Sequence, residues 1–395
     1  MSQREFIAIM ALLIGLSALA IDITLPALPL IAEDYALLRK EDAQQILTIF
    51  FLGFGMGQLI AGPVSDSFGR KPILLIGITI YIGSAIASTF VTSFEGLIVL
   101  RFLQGIGAAA PRVLALAIVR DCYSGRTMGR IMSLCIMTFL VIPILAPAIG
   151  QGFIIVAGWT SIFWVLAIVG ILAWMWVYQR LQETNSNTKA FRMISIYRDA
   201  KIILRTPQTV GYSLAASFTL GTLFSYLASS ADILGIRYDL GELFPLVFGS
   251  LAAGMMVGSF INAKLVIKYG LRRVSHIALF CYACSGIGMM ILDHIWPDLL
   301  LGFYILSACM LVTFTFIMSN FNTIALDPHG TMSGLASSLV SATTTTLGGM
   351  IAWSTGFLPL NAASPLGMVI FICTILAGIS IYSVRQHVII SSETQ

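Results

Sequence analysis

The sequence predicts an all-α polytopic membrane protein of twelve transmembrane helices, divided into two six-helix halves that echo each other. Three observations carry this. Of the 395 residues 58% are hydrophobic and only 10% charged, whereas a soluble domain carries about 25% charged residues. Apolar runs of the roughly 20 residues needed to cross a hydrocarbon core recur almost to the C-terminus. Finally, "GQLIAGPVSDSFGRKP" from Gly57 aligns without a gap with "GSFINAKLVIKYGLRRV" from Gly258, so that Gly57 matches Gly258, Gly69 matches Gly270 and Lys71 matches Arg272. A transmembrane barrel would show short alternating segments, and none occur.

Polar breaks delimit spans near 6–31, 43–64, 72–92, 95–119, 128–157, 159–179, 208–234, 243–264, 274–293, 298–324, 332–355 and 365–384. With the N-terminus inside, seventeen of the 22 Lys and Arg fall on the cytoplasmic side. Three lie outside (Arg39, Lys40, Arg237) and two within a span (Arg101, Arg112), which predicts that both termini are cytoplasmic. The longest polar segment separates an N-terminal bundle, 1–184, from a C-terminal bundle, 207–395. Between them 185–206 reads as a cytoplasmic linker with a basic amphipathic helix on the membrane surface. "MSQREF" and the run ending "SALA" imitate a signal peptide, but cleavage would leave an odd number of spans, so an uncleaved first span is expected.

The net charge of +4 sits between apolar runs and does not indicate nucleic acid. Cys281 and Cys284 form a C-x-x-C spacing inside an apolar run, where small packing residues are the expectation rather than a redox or zinc pair. No H-E-x-x-H, G-x-S-x-G or Walker motif occurs, which argues against an enzyme and an ATP-driven pump; neither a metal nor a cofactor is expected.

Within the first span, "LSALAIDITLPALPLI" carries Asp22, Pro26 and Pro29. A carboxylate at helix depth costs about 2.5–3.5 kcal/mol on insertion scales and normally faces a cavity or a partner. Asp22 lies ~22 Å along its span and Arg101 ~9 Å from the outer boundary of span four, at 1.5 Å per residue, so the two share a depth. They are expected to face one cavity or to pair through a short network. Desolvation and a nearby cation act on a carboxyl in opposite senses, and that balance makes Asp22 the expected proton carrier. Arg112 follows Arg101 by almost three turns, with Gly105 and Ala108 between them leaving room for substrate or for close helix packing. Its expected role is to meet an anionic or polar group of the substrate, or a structural partner.

Pro26 and Pro29 are expected to break the first span, and Pro143, Pro147 and Gly150 in "VIPILAPAIGQG" to form a hinge in the fifth. In "GPVSDSFGRK", Gly62 and Gly69 allow tight backbone while Asp66, Arg70 and Lys71 supply a cytoplasmic charge cluster able to latch helices together. Arg120 joins that gating group. Gln104, Gly105, Phe218, Tyr226, Tyr304 and Phe314 are candidates for the substrate cavity.

Together these residues resemble the major facilitator superfamily over nearly the whole chain. The loop signature G-x-x-x-D-[RK]-x-G-[RK]-[RK] is met by Gly62, Asp66, Gly69, Arg70 and Lys71, with Ser67 where a basic residue is usual. "RFLQGIGAAA" is similar to the span-four signature of the drug:proton antiporters, through Arg101, Gln104, Gly105 and Gly107. "IDITLPALP" followed by "VRDCY" (Arg120, Asp121) resembles the bicyclomycin and chloramphenicol resistance branch. The span-five antiporter motif G-P-x-x-G-G survives only as Ala146, Pro147, Gly150 and Gln151. The resemblance implies the superfamily fold, with spans 1, 4, 7 and 10 lining a cavity that opens alternately to each side under the proton gradient. It further implies a contact between Asp66 and the start of span eleven near Ser333 and Gly334. The function expected is proton-coupled export of small amphiphilic compounds from a monomer in the bacterial inner membrane. Export of one native metabolite, siderophore or sugar is the alternative, and nutrient uptake the rival beyond it.

Overall fold

The computed structural model describes residues 1–123, 125–185, 200–358 and 362–393, and every described element is helical. Most of the expected linker helix lies outside the described residues. Ten helices among the described residues are long and apolar enough to cross a membrane. Two further long helices, of 33 and 23 residues, coincide with the expected fifth and eleventh spans. The chain divides into two compact units: Met1–Arg192 with Glu242–Gly249, and Met193–Gly241 with Ser250–Gln395.

In the first unit, α1 (Gln3–Asp22) starts where the Ser2 hydroxyl accepts the Glu5 N–H at 3.2 Å. The first apolar run is then interrupted. A 3-10 turn, Leu25–Ala27, and a short α2, Leu28–Asp34, complete it. Pro26 and Pro29 sit in the opening positions of these two pieces, where a missing N–H is tolerated. The expected single span is therefore a broken helix.

Helices α3 (Gln45–Phe68), α4 (Arg70–Ser88), α5 (Phe94–Cys122), α6 (Gly125–Ala157) and α7 (Ser161–Arg180) follow. Glycine holds α5 against two neighbours at once. A Cβ on Gly105 would overlap the Phe50 carbonyl and stand 2.9 Å from the Phe54 nitrogen of α3. A Cβ on Gly107 would stand 2.5 Å from the Tyr81 nitrogen of α4. Such backbone contact is how membrane helices associate when lipid is as apolar as their side chains. It leaves Arg101 and Gln104 of α5 with no exposed surface.

The second unit holds α8 (Pro207–Ser230), most of α9 (Phe244–Tyr269), α10 (Leu271–Ile295), α11 (Leu300–Leu326), α12 (Ser333–Thr355) and α13 (Ala363–Glu393). Buried hydroxyls of α8 either return to their own helix, as Ser217 does to Ser213 O, or cross to neighbours: Thr222 meets Tyr282 at 2.6 Å and Ser225 meets Thr355 at 2.7 Å. Asn262 and Asn320 exchange two amide hydrogen bonds, 3.2 and 3.1 Å, between α9 and α11. A π-helical segment, Ala231–Arg237, follows α8 and ends in an Arg237–Asp293 ion pair of 2.5 Å. Large apolar side chains such as Leu246, Phe260 and Phe280 remain exposed, as a surface facing lipid requires.

Candidate proton and substrate site

Interruption of α1 creates the site. Thr24 N–H bonds Ile21 O rather than the carbonyl one residue earlier, so Ala20 O loses its place in the helical ladder. Two donors reach it instead: the Thr24 hydroxyl at 2.9 Å and Arg101 Nη2 at 3.1 Å. Arg101 also donates to Gln104 Oε1 at 2.6 Å and, more weakly, to Ile46 O at 3.4 Å, and it lies 4.8 Å from the Phe50 ring centroid. The guanidinium thus caps the negative end of α1 and ties α1, α3 and α5 together.

Asp22, the last residue of α1, is 3% exposed. Among the described residues its carboxylate makes no hydrogen bond or ion pair. The expectation of a shared depth holds, since Arg101 reaches α1 two residues before Asp22. Direct pairing between the two is not formed in this structure. The reason is local: the proline-induced break frees a carbonyl, and that carbonyl takes the guanidinium.

Gly105 opens no cavity, because α3 backbone fills its side of the helix. Phe218 packs against Val369 and Cys373, and Phe314 is 7% exposed. The Tyr304 hydroxyl meets Ser250 Oγ at 2.9 Å, while Tyr226 is buried at 1% exposure. Gln104 is both buried and bound to Arg101, and its Nε2 finds no acceptor among the described residues. Arg112 is half-buried on α5, ~16 Å along the axis from Arg101, so the two arginines do not form one cluster. Pro143 and Pro147 lie within a continuous α6. Gly150 sits against the broken end of α1, where a Cβ would stand 2.5 Å from Ile23 O.

The loop motif forms a compact clasp. Ser65 Oγ donates to Gly62 O at 2.7 Å. Arg70 bridges Asp66 (Nη1–Oδ1, 2.5 Å) and Asp121 (Nε–Oδ2, 3.1 Å) and donates to Ser65 Oγ at 2.7 Å. Lys71 donates to Tyr178 O at 2.9 Å. Arg120 is exposed and joins no ion pair among the described residues; its neighbour Asp121 pairs with Arg70 instead, since adjacent helical residues point 100° apart. Gly69 adopts φ +96°, a conformation glycine alone enters freely.

Glu183 is the participant that sequence reasoning missed. Its carboxylate accepts the first two N–H groups of α4, Arg70 N at 2.9 Å and Lys71 N at 3.0 Å. Desolvation raises its proton affinity, but bonds from the Asn185, Arg70, Lys71 and Thr184 N–H groups outweigh this and hold the carboxyl below the ordinary glutamate value. Asp232, 4% exposed in the π-helical segment after α8, was also missed. The signal that marked Asp22, an acid inside an apolar run, was available for it. The Ser333 side chain, expected with Gly334 near Asp66, lies outside the described residues.

Residues 10–353 match the family model of the Major Facilitator Superfamily, and the chain belongs to that superfamily. It is 31% identical to a bicyclomycin resistance protein homolog of Haemophilus influenzae over 95% of both chains. It is 26% identical to a chloramphenicol resistance protein of Pseudomonas aeruginosa, over 93% of this chain and 88% of the relative. Its fold resembles the xylose transporter XylE of E. coli in a partially occluded inward-open conformation, with TM-score 0.71 and 13% identity over 97% of this chain and 98% of that one. The protein is a multi-pass membrane transporter of the branch that its span-one and span-four motifs resemble.

Proposed function

We propose that the protein exports small amphiphilic compounds in exchange for protons, by alternating access between halves 1–184 and 207–395. The observation that carries this reading is Asp22: a buried carboxylate with no hydrogen-bond or ion-pair partner among the described residues, at the broken end of an intramembrane helix. The relatives' names, which record resistance to bicyclomycin and chloramphenicol, support export of such compounds. Entry of a proton to Asp22 from outside removes a buried charge next to the Arg101-capped helix end. Release of that proton inside resets the site. Arg101 holds α1 to α3 and α5, so Asp22 keeps its position as the halves move. The Asp66–Arg70–Asp121 clasp with Glu183 stabilises the cytoplasmic end of the first half. The Lys and Arg distribution supports an orientation with both termini cytoplasmic, and the bacterial relatives support placement in an inner membrane.

Arg112 favours a second reading, export of one anionic metabolite, because a cation on the substrate helix selects against lipophilic cations. Accumulation of labelled chloramphenicol in cells expressing the protein tests the first reading. Lower accumulation, restored to control by a protonophore, is expected. Higher accumulation than control, abolished by the protonophore, would show uptake and overturn it.

A further inference from the structure

We propose that Cys284 of α10 and Cys309 of α11 form a redox pair on the lipid-facing side of the second half, closed to a disulfide by a membrane-soluble quinone. Two glycines fix the register of these antiparallel helices. A Cβ on Gly288 would stand 2.7 Å from the Leu306 side chain, and one on Gly302 would stand 2.6 Å from the Leu292 side chain. The two contacts agree: four residues forward on α10 and four back on α11 carry the first pair onto the second. Three residues the other way set Ser285 level with Cys309, and Cys284 one rise of about 1.5 Å further on. Cys281, Cys284 and Ser285 are accordingly the polar neighbours of the Cys309 thiol.

The two thiols also share one side of the seam. Helix α10 turns Gly286 and Met289 toward α13, where a Cβ on Gly286 would stand 2.8 Å from Gly367 O and one on Gly367 would stand 3.0 Å from Met289 Cβ. Cys284 lies on the opposite flank, the one that carries the exposed Phe280, Ile287 and Ile291. On α11 the buried flank belongs to Met310, and Cys309 lies on the flank of the exposed Ile305. Cys284 and Cys309 are both exposed. Helical rise puts Cys284 ~16 Å before the end of α10 and Cys309 ~14 Å into α11. Both therefore meet lipid near the middle of a hydrocarbon core of about 30 Å.

A disulfide needs Cα atoms about 4.4–6.8 Å apart, and side chains at a helix seam meet that only where the backbones come close. Gly288, one turn from Cys284, and Gly302, two turns from Cys309, supply that approach. Metal binding does not account for the cluster: among the described residues no group of three His, Cys, Asp or Glu can hold an ion. The oxidant has to be dissolved in the bilayer, and quinones are two-electron oxidants of that kind. In the reaction two S–H bonds break and one S–S bond forms. The quinone takes both electrons and both protons and leaves as the quinol. The new bond staples α10 to α11.

The test uses the purified full chain in phosphatidylcholine liposomes, incubated with decylubiquinone or with its quinol. Thiols are then alkylated in denaturant and counted by intact mass. All six cysteines should alkylate after the quinol, and two fewer after the quinone. Peptide mapping should recover the missing pair as one linked species joining Cys284 to Cys309. Cys284→Ser and Cys309→Ser should each leave every remaining cysteine alkylated, while Cys281→Ser should still lose two. Full alkylation of wild type after the quinone, a link between other cysteines, or a link that survives Cys284→Ser or Cys309→Ser would overturn the proposal.

Discussion

Replacing Asp22 by Asn separates two accounts of the α1 break by sign. A carboxylate buried without a partner costs about 2.5–3.5 kcal/mol at helix depth, and its place in the last turn of α1 opposes the helix dipole by a further ~0.3–1 kcal/mol. The carboxamide keeps the shape and removes the charge. Asp22→Asn is therefore expected to stabilise the protein by about 1–2 kcal/mol, a rise of about 1–2.5 °C in thermal unfolding in detergent. Were Asp22 instead the ion-pair partner of Arg101, the same substitution would strand a buried cation and cost about 3–5 kcal/mol. The geometry excludes that outcome, because Arg101 is engaged by Ala20 O, Gln104 Oε1 and Ile46 O. Repeating the substitution in an Arg101→Gln background measures the coupling directly, and a value below about 0.5 kcal/mol is expected. A lowered unfolding temperature with coupling above ~1 kcal/mol would refute the reasoning.

Arg101→Lys should lower the unfolding temperature by several degrees, because an ammonium cannot span acceptors on three helices; an unchanged melting curve would contradict that role. Gly105→Ala should abolish well-folded expression, read by fluorescence-detected size exclusion, since its Cβ overlaps α3 backbone rather than a movable side chain. Arg70→Ala should cost transport and stability while Arg120→Ala changes unfolding by less than ~0.5 kcal/mol, because only Arg70 bridges two carboxylates. Glu183, with its carboxyl held below the free value of 4.5, contributes stability that is full above that pH and lost as pH falls through the lowered value. Unfolding followed from pH 7 to pH 3 should show that acid limb in wild type and lose it in Glu183→Gln, with an effect of about 0.5–1 kcal/mol after screening.

Features that depend on a residue's own chemistry were legible in the sequence. Proline lacks an N–H, so the break at Pro26 and Pro29 could be read directly, and the loop glycine before Arg70 announced its turn. The partner of Arg101 could not be read from charges. It is a main-chain carbonyl that becomes available only once the helix breaks, and no side-chain pattern displays it. Glu183 was hidden by distance, 113 residues from the N–H it caps. Residue type does not reveal which neighbour a helix face meets: α3 backbone lies against Gly105, and Phe218 packs against Val369 and Cys373. Asp121 and Arg120 show the same limit at its smallest scale: one residue of difference decides which charge enters the clasp.

Proton release from energised everted membrane vesicles, followed by dye dequenching on adding chloramphenicol, tests the central claim most directly. The account predicts release in wild type and none in Asp22→Asn, although the variant is folded and more stable. Release that survives Asp22→Asn would contradict it, and would move the coupling proton to another group.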